Sequence, residues 1–225
     1  NAVGNPYPSK IDADAFITDN SITEALYFWR KTNNAATNSY ATYTLAGGAG
    51  TGSNSGDPLG LTPNGTIQVG QGFIAKATSS TLDFTNSMRV ANSSNQFLRT
   101  NENRSRIWLD LSNADGALNQ MMVAYMPTAT AAVDAAIDGQ YFNDSPTALT
   151  SIINNEEYTI QGKGLPFVSN DTVALGFKAQ LAGDYTITLD RFDGLFESNQ
   201  DLYLKDNVLN TLHNLKQGSY TFVSE

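Results

Sequence analysis

Carboxylates are the side chains of this 225-residue chain with the best claim to chemistry, and they gather in two places. Asp12-Ala13-Asp14 is followed by Asp19. Loop carboxylates spaced in this way can ligate Ca²⁺, which takes roughly six to eight oxygens at flexible geometry. The full EF-hand pattern is incomplete, lacking its turn glycine and its closing glutamate. The preferred reading makes Asp12 a helix N-cap, with Asp14 favouring the first turn. Asp12, Asp14 and Asp19 stand as the candidate metal ligands, and Ca²⁺ as the candidate cofactor. The second group is Asp134 and Asp138-Gly139, with Asp144 nearby. Asp138-Gly139 reads most simply as a turn. A glycosidase would need two carboxylates roughly 5–10 Å apart, and 22 acidic residues supply such pairs by chance.

The remaining chemistry is thin. There is no cysteine, which removes disulfides, thiolate metal sites and thiol nucleophiles together. The single histidine, His213, lies near a turn without a Gly-x-Ser-x-Gly elbow, and reads as a hydrogen-bonded surface residue. Gly47-Gly48-Ala49-Gly50-Thr51-Gly52 lacks the Gly-Lys-Ser/Thr ending of a phosphate loop. Asp115-Gly116, Asp138-Gly139 and Asp193-Gly194 are turn sequences, so their acids are expected in water with ordinary pKa values. No catalytic residue is expected, and no enzyme.

The elements that would position these groups read as strands. The chain is 40% hydrophobic but only 16% charged, against about 25% in ordinary soluble domains. Asn (23), Thr (23) and Ser (18) make up the polar surface, a composition suited to strands and turns. Period-two alternation runs through Tyr185-Thr186-Ile187-Thr188-Leu189, Tyr40–Leu45, Thr66–Val69, Leu82-Asp83-Phe84 and Gln200–Leu204. Leu26-Tyr27-Phe28-Trp29 and Met121–Met126 are continuous apolar runs, as in strands buried on both faces; Trp29 and Trp108 are therefore expected in the core. Helix is confined to the alanine-rich Ala129–Ile137 and to one turn over Ala13–Thr18, and Ala46–Gly60 reads as the least ordered stretch. A polar stretch, Ala91–Arg106, divides the chain. The expected fold is all-β, two antiparallel β-sandwich modules of jelly-roll or Ig-like type over residues 1–95 and 96–225; one large sandwich is the alternative. A net charge of −9 disfavours nucleic acid and anionic membranes. No run reaches the roughly 20 apolar residues of a membrane span.

Several phrases, taken in order, resemble a known group of proteins. They include Gly4-Asn5-Pro6-Tyr7-Pro8-Ser9, Ile11–Ile17, Val69-Gly70-Gln71-Gly72-Phe73, Arg106-Ile107-Trp108-Leu109-Asp110-Leu111, Tyr158–Phe167, Leu175-Gly176-Phe177-Lys178 and Asp193-Gly194-Leu195-Phe196. This order is similar to the β-rich region preceding the sorting domain in type IX-secreted cell-surface proteins of Bacteroidota. The resemblance implies an extracellular or outer-surface location. It also implies a cleaved leader and a sorting domain outside this piece, through which the secretion machinery acts. In that setting Asp171-Thr172-Val173 matches a short acid–hydroxyl–aliphatic motif, making Thr172 a candidate for O-glycosylation. The physics of the same phrases suits a scaffold: the prolines fix an extended entry, and Gly70-Gln71-Gly72 suits a bulge or close backbone approach at a strand start. The expected function is a structural, adhesin-type module whose partners are surface glycans or other cell-surface proteins. A carbohydrate-binding accessory module of a secreted hydrolase is the alternative, and a carboxylate-based glycosidase the weaker one.

Overall fold

The fold is that of a computed structural model describing residues 1–30, 40–52, 62–90, 104–142 and 145–225. The boundary expected near residue 95, Asp144, and most of the glycine-rich stretch after Gly52 lie outside the described residues. Strands account for 49% of the chain and helix for 7%, so the protein is all-β.

In the first part the elements are β1 (Ala2–Gly4), β2 (Ile11–Asp12), α1 (Ala13–Asp19), β3 (Ile22–Trp29), β4 (Tyr40–Thr44), β5 (Gly47–Ala49), β6 (Thr66–Ile67) and β7 (Gly72–Ala77). In the second they are β8 (Ser105–Asn113), β9 (Gly116–Met126), β10 (Gly139–Gln140), β11 (Ala148–Ile153), β12 (Glu156–Gly164), β13 (Leu175–Lys178), β14 (Gly183–Phe192), β15 (Tyr203–Asp206), β16 (Thr211–Asn214) and β17 (Tyr220–Ser224). A small sheet runs β1-β7-β3-β4-β5, and a large one β13-β11-β12-β9-β8-β14-β17, with β10 added beside β12. All pairings are antiparallel except β9 with β12, which run parallel from Ile160↔Met122 to Gly164↔Met126. The long return between Met126 and Glu156 brings the chain back in the same direction, as a parallel pair requires.

Each sheet buries both faces over its middle, and alternation assigns the faces. In the small sheet Leu26, Phe28, Ala41, Tyr43, Phe73 and Ala75 close on α1 through Phe16 and Ile17. In the large sheet Leu109, Leu111, Met121, Val123, Tyr125, Tyr185 and Ile187 close on Phe196 and Leu215. The opposite faces share a third core: Ala46 and Ala49 of the first part with Trp108, Met122, Ala124, Met126, Ile137 and Ile160 of the second. Small residues let the two sheets approach. A Cβ on Gly139 would touch Thr42, Thr44 and Ala25, and one on Gly48 would run into the Pro63 carbonyl.

Four expectations are corrected. Ala129–Ile137 is a looped turn, with Ala136 at φ +64°, because its acids bind backbone amides instead of capping a helix. Gly47–Ala49 is a buried strand, since glycine here permits close packing and not freedom. Leu82–Phe84 is no strand: Asp83 N–H donates to Asn20 Oδ1 (2.6 Å) and its carbonyl accepts from Asn20 Nδ2 (2.9 Å). Asp193-Gly194 makes no hairpin but opens a 3-10 turn over Gly194–Glu197.

Candidate functional site

Asp12 sits at the N-cap of α1, where its Oδ1 accepts from Asp14 N–H (2.8 Å) and Ala15 N–H (3.0 Å). This satisfies two amides that the first helical turn leaves unpaired. Asp14 accepts from the Tyr43 hydroxyl (2.7 Å), tying α1 to β4. Asp19 is exposed at the other end of the helix. At 1.5 Å of rise per residue, seven helical residues set Asp19 about 10 Å from the cap. The structure therefore does not bring the three carboxylates together, and among the described residues no group of three acids or imidazoles could hold a metal ion.

The second acidic group is brought together, in an unexpected way. Asp138 is only 2% exposed. Its carboxylate accepts from Gly162 N–H (2.6 Å) on β12 and from Asp134 N–H (2.7 Å), while Asp134 accepts from Thr130 N–H (2.5 Å) and Thr130 Oγ1 (3.0 Å). The loop so tightened reaches the small sheet: Ala136 N–H donates to Thr23 O (3.4 Å), and Leu45 N–H to Ala136 O (2.9 Å). Burial pushes the Asp138 carboxyl up to about 6, against the pull of the two amides and aided by the neighbouring Asp134 charge. The expectation of an ordinary, hydrated turn acid fails here because the turn is wedged between sheets. A carboxyl in that range could serve as a general acid. This one faces backbone, with Ile137 and Ala129 packed over Gly162 beside it.

A third constellation escaped the sequence reading. Trp108 lies buried on β8, donating its indole N–H to Gly48 O (2.8 Å). The guanidinium carbons of Arg191 and Arg106 lie 4.3 and 5.0 Å from its ring centroid. Arg106 is fixed by Asp193, which accepts from its Nε (2.9 Å) and Nη2 (2.5 Å). Gln120 donates to Asp110 (2.8 Å) and Asp190 (3.1 Å), and its Oε1 accepts from Gly50 N–H (3.0 Å). The available signal was alternation, which puts Arg106, Trp108 and Asp110 on one face of a strand. Chemically this is a joint between the sheets.

An aromatic edge lies at the surface beside the end of β3. Trp29 ends β3 at 62% exposure, directly paired with Tyr40 of β4, contrary to the expected core position. Its side chain shares a face with Tyr27, which is buried and donates its hydroxyl to Gln140 O (3.0 Å) of β10. Phe142 (42% exposed) packs on Tyr27 and Tyr40 at centroid distances of 4.7 and 5.1 Å. Elsewhere, a shallow cleft of about 430 Å³ is lined by Ser9, Lys10, Val69, Asn86 and Arg89 among others. His213 is partly exposed, its Nε2 2.9 Å from Gly218 O, in agreement with the surface reading. Thr172 is exposed in the segment entering β13. Its neighbour Asp171 accepts from Lys163 (2.7 Å), Tyr125 (2.8 Å) and Thr172 N–H (2.8 Å).

A family model described as a domain of unknown function, DUF8693, matches residues 1–225. The chain belongs to the DUF8693 family. No curated protein and no solved structure matches it. Among the described residues of this DUF8693 chain, no helix is long and apolar enough to cross a membrane.

Proposed function

We propose that the chain is a non-catalytic, adhesin-type module of a secreted or surface-anchored bacterial protein, exported by a type IX route, that presents a binding edge to surface glycans or cell-surface proteins. The observation that carries this reading is the Trp29–Tyr40–Phe142 edge. Exposed rings of this kind stack on the C–H faces of sugars, and an indole offers the largest such face. The build of the molecule supports it too. Asp12, Asp138, Asp171 and Asp193 are engaged in capping, strapping and ion pairing, work that fixes a frame. The shared third core supports a single two-sheet sandwich over two separate modules.

Glycan-array binding of the purified chain tests the proposal. Binding is expected to fall about 5- to 150-fold in Trp29→Ala, since stacking on one ring is worth roughly 1–3 kcal/mol in comparable contacts. Unchanged binding by Trp29→Ala, or none by the parent chain, would overturn it. The accessory-module alternative uses the same edge, and is favoured instead if soluble polysaccharide fragments bind while cell-surface glycoconjugates do not. Glycoside hydrolysis abolished by Asp134→Asn would promote the glycosidase.

A further inference from the structure

The shallow cleft of about 430 Å³ is walled by three separate segments. They are Ser9 and Lys10 before β2, Val69 in the turn between β6 and β7, and residues 86–90 around the 3-10 turn Asn86–Met88. Buried Asn5 ties the first two together: its Nδ2 donates to Ser9 O (2.8 Å) and Gln68 O (3.1 Å), and its Oδ1 accepts from Tyr7 N–H (2.9 Å). The third is tied on by the Tyr7 hydroxyl, which donates to Phe84 O (2.8 Å), and by Val90 N–H, which donates to Lys10 O (3.0 Å). Walls fixed in advance lower the ordering cost of binding. Two cations line the cleft. Arg89 Nε donates to Ser9 Oγ (2.9 Å) and its Nη1 to Asn86 Oδ1 (3.3 Å), with its guanidinium carbon 5.3 Å from the Tyr7 ring centroid. A guanidinium carries five N–H donors. These bonds leave both Nη2 hydrogens and one on Nη1 as an open fork. Among the described residues neither Arg89 nor Lys10 has a carboxylate partner, whereas Lys76, Arg106, Lys163, Lys178 and Arg191 all do. Asp12, the acid closest to Lys10 in sequence, turns its carboxylate to the amides of α1.

We propose that this cleft binds the carboxylate of an acidic sugar, a hexuronate unit of a surface glycan, through the Arg89 fork and the Lys10 ammonium. This rests on the glycan reading of the chain and adds a second contact, separate from the Trp29 edge. A planar guanidinium meets a planar carboxylate with two parallel hydrogen bonds, which an ammonium alone does not offer. The Ser9 hydroxyl and the Asn86 amide stand beside the fork as partners for ring hydroxyls. Pro8 and the exposed Val69 supply an apolar strip for the C–H face of the ring. The volume lies at the small end of the ligand-pocket range, enough for roughly one or two sugar units. A phosphate would call for convergent free backbone amides. Here Arg89 N–H and Val90 N–H are already bonded to Asn86 O (3.2 Å) and Lys10 O (3.0 Å). The net charge of −9 repels anions at long range, so the two cations must supply the attraction at contact.

Calorimetric titration and amide NMR of the purified chain test the cleft, with a galacturonate trisaccharide, its neutral galactose counterpart and inorganic phosphate as probes. The uronate is expected to bind and to shift the amides of Ser9, Lys10 and Arg89, while the neutral sugar leaves them unmoved and phosphate fails to displace the uronate. Arg89→Ala is expected to weaken uronate binding roughly 10- to 150-fold. Arg89→Lys keeps the charge without the fork and should recover only part of the loss. The Lys10 side chain has no hydrogen-bond or ion-pair partner among the described residues, so Lys10→Gln should leave the melting temperature unchanged. It should still weaken the uronate about two- to fivefold, an effect that a folding defect would not give. Equal binding of the neutral sugar, displacement by phosphate, uronate shifts away from the cleft, or unchanged affinity in Arg89→Ala would overturn the proposal. Trp29→Ala should leave the uronate shifts in place. Array binding that depends on Trp29 while the uronate shifts nothing strikes the cleft alone; uronate shifts at the cleft without Trp29-dependent binding strike the edge alone.

Discussion

The indole N–H of Trp108 donates to the carbonyl oxygen of Gly48 across 2.8 Å, joining the large sheet to the edge strand β5 of the small one. The donor and the acceptor are 60 residues apart and both buried. Above the same ring sit Arg106 and Arg191, each in turn beside a carboxylate.

Trp108→Phe keeps much of the apolar area but removes the donor, leaving a buried carbonyl unpaired. An orphaned buried acceptor costs about 1–3 kcal/mol, and weaker cation–π contacts add to the loss. Urea unfolding should show the midpoint lowered by that energy divided by the slope, with the slope itself unchanged, because the surface exposed on unfolding is hardly altered. A stability within 0.5 kcal/mol or so of the parent would remove the joint from this account.

Asp138 gives the chain a pH signature. Its carboxyl titrates near 6 in the fold, against an ordinary value near 3.8. The folded state thus holds the proton more tightly. The stabilisation is complete below the unfolded value and is lost as pH rises through the folded one. Two units correspond to a loss of about 3 kcal/mol between pH 4 and pH 6. Asp138→Asn, neutral at every pH, should lack that decline. Urea titrations of both proteins at pH 4, 5, 6 and 7 provide the difference. Parallel curves would mean that the buried carboxyl is not coupled to folding.

Asp12→Ala should cost about 1 kcal/mol through the lost cap. Asp19→Ala, on an exposed side chain at the far end of α1, should cost almost nothing. Thermal scans in millimolar calcium and in chelator are expected to coincide, because the three carboxylates do not converge. A calcium-dependent rise in melting temperature, abolished by Asp14→Ala, would restore the metal site by mass action.

The exposed Thr172 remains the proposed modification site. Intact mass and peptide mapping of protein from its native source should find the glycan on the peptide holding Thr172. An unmodified peptide ends the proposal. Asp171→Asn tests the frame around it. Burial raises the Asp171 carboxyl, but the hydrogen bonds from Lys163, Tyr125 and Thr172 outweigh that and hold it below its ordinary range. The ion pair leaves its two side chains only 14% and 22% exposed, so Asp171→Asn should lower stability by about 1–3 kcal/mol at neutral pH.

Local pattern was enough for much of this fold. The alternation of Tyr185–Leu189 marks β14, the unbroken run Met121–Met126 marks a strand covered on both faces, and Asp115-Gly116 marks the β8–β9 hairpin, with Gly116 at φ +118°. Asp12 before a short apolar pattern marks the cap. In each case the cause lies within a few residues, where pleat, turn and capping geometry act. Other features needed the tertiary fold because their cause is a distant partner. Trp29 and Trp108 end or interrupt similar apolar runs, yet only Trp108 has another sheet above it. Gly47-Gly48 looks like a loose loop until the facing sheet requires a surface without side chains. Asp138-Gly139 looks like any hydrated turn, and its carboxyl rises only because β12 and β3 close on both sides of it. Periodicity says which side chains share a face; only packing decides whether that face meets water or protein.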